Sequence, residues 1–276
     1  MTNVKGKLER LGKVHTVAYG DGAHSNRLYA KVQDMDSGVL VASENSMIDT
    51  RSISTVYFGR VNPLSVNLET MSGRNTPVLA IIELMLSKPG CTFFPGTLLR
   101  AYGGYSLPIM PIIQDGKLIS ERAKLTGIPY VDDSTELAKI LFGEEFAQKV
   151  RGSNGLTFEE PLKTLYERLE EETKAKRILS FGTVDINGLT TLPIICNELT
   201  NLSTDYEGAA LDVIVHSAGD LFKDNEDLTA RYETNLARLA KKRKLHEPTI
   251  VISAEGGEKR LHSGLYVFAE GKLTEA

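Results

Sequence analysis

One stretch of this chain constrains its folding more than any other: Thr92-Phe-Phe-Pro-Gly-Thr-Leu-Leu-Arg-Ala-Tyr102. An apolar strand runs into Pro95-Gly96, where Pro95 sets φ and Gly96 admits a bend closed to other residues. Thr97 has the side chain of a helix cap, so the segment reads as strand, turn and helix start. Helix-start amides with Arg100 one turn later would form a cradle for a phosphate or another anion.

Around this bend the chain alternates between two periods. Val14–Tyr19, Arg27–Gln33, Gly38–Ala42, Ile53–Phe58 and Leu64–Leu68 read as short strands over the first 70 residues, of which 1–50 form a β-rich N-terminal extension. From Pro77 the spacing of Val78, Ile81, Ile82, Met85 and Leu86 predicts a helix, closed by Pro89-Gly90 before a strand at Cys91–Phe94. Residues 103–131 are punctuated by Pro and Gly and read as a loop-rich insertion. Capping patterns at Asp133 and Thr157 start two helices, and Asp224 or Asn225 starts a last one with Leu228, Tyr232, Leu236 and Leu239 inward. Strands are expected at Ile178–Val184, Leu192–Cys196, Leu211–His216, Thr249–Ser253 and Leu265–Ala269, with a tight turn at Asn187-Gly188. Helices and strands mix without strict alternation. The expected class is therefore α+β, a single domain over 1–276 built on a mainly antiparallel sheet with packed helices.

Composition excludes several functions. The net charge of −4 argues against a broadly basic nucleic-acid binder while leaving room for a local basic groove. The start of the chain shows no apolar leader, and the longest apolar run is too short to span a bilayer, so a cytoplasmic location is expected. The two cysteines, Cys91 and Cys196, lie in apolar strands and read as buried free thiols in a reducing compartment. His15, His24, His216, His246 and His262 lack metal-ligand spacing, so no metal is expected, and no motif calls for a cofactor. No P-loop, dinucleotide fingerprint or Gly-x-Ser-x-Gly occurs.

The side chains that contact phosphates and bases gather upstream of the bend: Arg51, Arg60, Asn62, Asn67, Arg74 and Asn75, with Tyr57 and Phe58 available for stacking. Two segments, Gly59–Gly73 and Phe93–Ala101, resemble the first core strand and the strand–turn–helix element of the CRISPR-associated RAMP superfamily. The subunits in question polymerise along crRNA in Cascade-type effectors of antiviral defence. Leu192–Leu199 is weakly similar to that family's later core. The resemblance implies a ferredoxin-like, RRM-like core with a variable insertion. It also implies that Gly96, Thr97 and Arg100, with Arg60, Asn67 and Arg74, line the backbone of single-stranded RNA. On this reading the protein is a non-catalytic RNA-binding subunit of a homo-oligomeric ribonucleoprotein. Two alternatives stand beside it. One is a self-assembling, virion-type structural protein. The other is an α/β enzyme acting on a small anionic substrate at the Gly96 turn, with His24, Asp132 or Asp185 as acid or base.

Overall fold

The structure is a computed structural model, and it describes residues 4–18, 24–44, 46–47, 77–102, 105–124, 167, 171, 174–175, 178–179, 182–201, 208–218, 228–255 and 263–276. Strands β1 (Val14–Val17), β2 (Gly38–Ala42) and β3 (Cys91–Phe94) pair in parallel. Their sheet is extended by β5 (Tyr105–Gln114), β6 (Lys117–Ala123) and β7 (Ile178–Leu179), and β4 (Leu98–Tyr102) pairs with β5. A second sheet of six strands has at its centre β9 (Leu189–Ile195), β10 (Leu211–Ala218) and β11 (Leu245–Glu255), again parallel. Antiparallel strands β8 (Val184–Ile186), β12 (Gly264–Ala269) and β13 (Lys272–Glu275) complete its edges.

The two sheets pack face to face. Val39, Val41, Phe94, Met110 and Ile112 of the first meet Ile195, Val213, Val215, Ile250 and Ile252 of the second in one buried cluster. Each outer face carries helices. Helices α2 (His24–Gln33) and α3 (Pro77–Leu86) cover the first sheet through Leu28, Val32, Ile81, Ile82 and Met85. Helix α4 (Leu228–Lys241) covers the second through Tyr232, Leu236 and Leu239. Burial on both faces explains the near-continuous apolar runs of β2, β3, β9 and β10, the signature of parallel central strands. Helix α1 (Val4–Leu11) is held to the second sheet by Lys7. Its ammonium donates to the carbonyls of His246 (2.8 Å) and Pro248 (3.0 Å) and pairs with Asp212 at 3.0 Å.

This architecture corrects the expected class. Two mixed sheets with parallel centres, stacked between helices, make an α/β sandwich rather than a mainly antiparallel, ferredoxin-like or RRM-like core. Arg27–Gln33 is helical, because Leu28, Val32 and Met35 fall on one buried face at spacings of four and three that alternation in the sequence obscures. Within the stretch 103–131, residues Tyr105–Gln114 and Lys117–Ala123 form a hairpin inside the first sheet. Expected strands at Ile53–Phe58 and Leu64–Leu68, and the helix starts at Asp133 and Thr157, lie outside the described residues. The helix at Pro77, the strand at Cys91–Phe94 and the turn at Asn187-Gly188 (φ 54° and 76°) are present as expected. No helix among the described residues is long and apolar enough to cross a membrane.

The Pro95-Gly96 bend is real but leads into β4, not a helix. Gly96 has φ 87°, and a Cβ there would sit 2.3 Å from the Ser43 carbonyl oxygen and 2.8 Å from that of Glu44. Replacing Gly96 by Ala therefore forces a backbone shift at Ser43–Glu44. The expected loss exceeds about 1 kcal/mol, the scale of an alanine at positive φ, and is read as a lowered melting temperature; an unchanged Tm would refute this packing.

Candidate active site

Parallel strands leave their carboxyl ends pointing one way, and functional groups in α/β folds collect there. Three such ends converge here: Glu44 lies just past β2, Lys124 follows β6 directly, and Cys196 follows β9 directly. The Lys124 ammonium donates to Glu44 Oε1 at 2.5 Å, with side chains 16% and 9% exposed, so the pair is largely shielded from water. The Cys196 sulfur lies close enough to both for their charges to act on it. A thiol, a carboxylate and an ammonium thus share one small volume.

Backbone conformation singles out the cysteine. Cys196 has φ 57°, a left-handed value that costs a non-glycine residue free energy, at the junction of β9 and a 3₁₀ helix spanning Cys196–Asn201. A reactive side chain on a strained strand-to-helix turn is raised out of the sheet, and the next backbone amide is left without a partner in the helix.

The electrostatics follow from burial and neighbours. Burial, and then the Glu44 carboxylate, push the Cys196 thiol up to about 12, while Lys124 opposes them. Burial alone would lower the Lys124 ammonium, but Glu44 and the Cys196 sulfur outweigh it and hold lysine well above its ordinary value. The resting site therefore holds a protonated thiol beside a permanent cation and a proton acceptor. Since the folded thiol keeps its proton while the unfolded one loses it near pH 9, this group's contribution to stability is complete below pH 9 and falls toward pH 12. Thiolate absorbance assigned by difference from Cys196→Ala should accordingly rise near pH 12 in the native protein; a native midpoint below pH 9 would contradict this environment.

A second ion pair fixes the strand ends that carry these groups. Arg122, two residues before Lys124, meets Glu198, two residues after Cys196, at 2.7 Å with both side chains fully buried. Glu198 Oε2 also accepts from the Ile195 amide (2.8 Å), and Arg122 donates Nε to the Pro193 carbonyl (3.0 Å) and Nη1 to that of Ala123. Breaking a satisfied buried pair from one side leaves a bare charge, costing about 3 to 5 kcal/mol. Glu198→Leu should lower urea stability by that order, and the double variant Arg122→Met/Glu198→Leu should recover much of it. Additive losses would show that the two do not act as a pair.

The bend at Gly96 belongs to this site from behind. The Thr97 amide and hydroxyl both donate to the Glu44 carbonyl, at 2.6 and 2.9 Å, and the Glu44 amide donates to Ala218 at the end of β10 (3.1 Å). Gly96 and Thr97 are buried, and their close contacts serve to place Glu44. Arg100 lies on β4 opposite Leu107. Arg60, Asn67 and Arg74 lie outside the described residues, as do Asp132, Tyr57 and Phe58. His24 is the first residue of α2, and Asp185 accepts from the Gly188 amide in the hairpin turn (2.9 Å). None of the expected anion-cradle or acid/base residues is one of the three convergent groups. Among the described residues no three His, Cys, Asp or Glu side chains group as a metal would need.

No protein-family model matches the sequence. A search of characterised proteins found no match either. Among solved structures, the chain is similar to the glutamine-dependent NAD+ synthetase of Acinetobacter baumannii in complex with ADP, at 12% identity and a TM-score of 0.46 over 94% of this chain and 42% of that one. It spans less than half the length of that synthetase. It is also similar to a CN-hydrolase superfamily protein of Xanthomonas campestris (12%, TM-score 0.49, 95% and 83% covered) and to a carbon–nitrogen hydrolase of Helicobacter pylori (12%, 0.46, 95% and 84%).

The RAMP resemblance is overturned. Phe93–Ala101 is strand, bend and strand, not strand, turn and helix, and Leu192–Leu199 is a parallel strand entering the cysteine turn. With it goes the reading as a non-catalytic, crRNA-binding subunit of a CRISPR effector. The Thr97 amide proposed to hold RNA phosphate is turned inward onto Glu44. Of the alternatives, the α/β one agrees with the observed fold, and the groups that converge at its strand ends are Glu44, Lys124 and Cys196. A signal for two of these was present in the sequence, since Glu44 and Cys196 stand at the carboxyl ends of the apolar runs Gly38–Ser43 and Leu192–Ile195, whereas Lys124 follows Ser120-Glu-Arg122 and had none.

Proposed function

We propose that the protein is a cysteine hydrolase that cleaves the carbon–nitrogen bond of a carboxamide through a thioester on Cys196. The observation that carries this reading is the convergence of one thiol with a hydrogen-bonded carboxylate–lysine pair at the strand ends. A nucleophile needs a base within reach and a fixed positive group for the charge that develops on oxygen. Glu44 accepts the thiol proton as sulfur attacks the carbonyl carbon, and the C=O π electrons move to oxygen beside the Lys124 ammonium. As the tetrahedral adduct collapses, Glu44 returns that proton to the departing nitrogen, which leaves as the amine. Water then attacks the thioester with Glu44 again as base, and release of the acid restores the thiol. One amide and one water give one acid and one amine. Lys124, whose ammonium is held above its usual range, stays charged throughout. A thiol nucleophile also calls for a reducing setting, so we place the protein in the cytoplasm.

An activated ester tests the covalent step without knowledge of the natural amide. Mixed with p-nitrophenyl acetate, the protein should release nitrophenolate in a burst of one equivalent and carry an acetyl group on Cys196 by peptide mass mapping. Cys196→Ala abolishes the burst and Cys91→Ala leaves it intact. Glu44→Gln slows it by about 10²- to 10⁴-fold, the usual worth of a positioned acid/base. A burst that survives Cys196→Ala, or acetyl found on another residue, would overturn the assignment.

A further inference from the structure

We propose that His216 is a positioning residue for this reaction: from behind the nucleophile turn it holds the Cys196 carbonyl, and so aims the Asn197 amide at the substrate oxygen that becomes negative. The proposal rests on the acyl-transfer reading above and adds a residue that touches neither substrate nor sulfur.

A chain of buried hydrogen bonds carries it. His216 Nε2 lies 2.9 Å from the Cys196 carbonyl oxygen. A carbonyl only accepts, so Nε2 bears a proton, and whenever the ring is neutral Nδ1 is the acceptor. Tyr232 fills that acceptor from α4, its hydroxyl pointing at Nδ1 with the rings edge to face, 5.4 Å between centroids. With its proton spent on His216, the Tyr232 oxygen receives the hydroxyl of Ser253 on β11 at 3.0 Å. Donation thus runs one way, Ser253 to Tyr232 to His216 to Cys196, through side chains each 2% exposed or less. Every member has its role set by the next, and the tautomer is locked.

The peptide after Cys196 translates this into catalysis. In a trans peptide the N–H lies opposite the C=O, so holding the Cys196 oxygen toward β10 turns the Asn197 N–H the other way. That amide heads the 3₁₀ helix Cys196–Asn201, where first-turn donors have no partner within the helix. A hydrogen bond at the carbonyl also polarises the amide and strengthens its N–H as a donor. Together with Lys124 this supplies two donors for the developing oxyanion, and His216 keeps one of them from rotating away at a strained φ of 57°.

Two reagents on the same sulfur separate positioning from mere support. Acylation by p-nitrophenyl acetate passes through an oxyanion, whereas alkylation by iodoacetamide displaces iodide and forms none. His216→Leu should slow acylation by about 10²-fold, the effect of losing one oxyanion donor, while Cys196 alkylation stays near the wild-type rate. His216→Gln, which keeps an N–H donor near the Nε2 position, should restore most of the acylation. Tyr232→Phe unlocks the tautomer and should fall between them, and it carries the test if His216→Leu does not fold. Equal loss of acylation and alkylation, unchanged acylation, or a Gln variant no better than Leu would overturn the proposal. A wild-type protein with no burst would instead overturn the acyl-transfer reading itself, a result separable from all of these.

Discussion

The ion pair between Arg122 and Glu198 is the contact on which the site depends. It spans the two sheets at their carboxyl ends and joins the strand that delivers Lys124 to the turn that delivers Cys196. A charge pair this deeply buried is tolerable only with its remaining lone pairs and protons satisfied, and here the Ile195 amide and the carbonyls of Pro193 and Ala123 do that. The same bonds hold the two strand ends in one register. A packed apolar contact at this place would stabilise the fold as well, yet would leave the lysine and thiol free to slide relative to each other.

Around that strut the molecule uses ordinary means. Apolar faces between the sheets and under the helices supply the bulk of the folding free energy. Serine, threonine and histidine side chains then trim the backbone at the strand ends. Ser217 reaches across the sandwich to the Ala42 carbonyl at 2.7 Å, Thr97 holds Glu44, and His216 holds Cys196. Glu44 and Cys196 are thereby each steadied through their own main chain.

Much of this was legible in the sequence at the level of single elements. The helix at Pro77, the strands at Gly38 and Cys91, the last helix with its Tyr232–Leu236–Leu239 stripe and the Asn187-Gly188 turn follow from local period and turn chemistry. The pairing of strands was not, because parallel neighbours such as β9 and β10 are brought together by a crossover whose partner choice no local period records. Arg27–Gln33 was ambiguous for a different reason: Leu28 and Val32 satisfy both a two-residue and a four-residue spacing. The site was the least legible part. Cys196 reads as a buried thiol, which it is, and only the fold brings Glu44 and Lys124, 80 residues apart in the chain, to its side. The Gly96 bend drew attention as a ligand cradle because tight turns with open amides often are; here the Thr97 amide faces the protein and secures the strand end that carries Glu44.

The pairing of charges at the strand ends has one more result. With Cys196 protonated, Glu44 matched to Lys124 and Arg122 matched to Glu198, these five side chains sum to electroneutrality. The five therefore add no net charge of their own, and attraction or repulsion of an approaching ion is set by charges elsewhere on the chain, whose sum is −4.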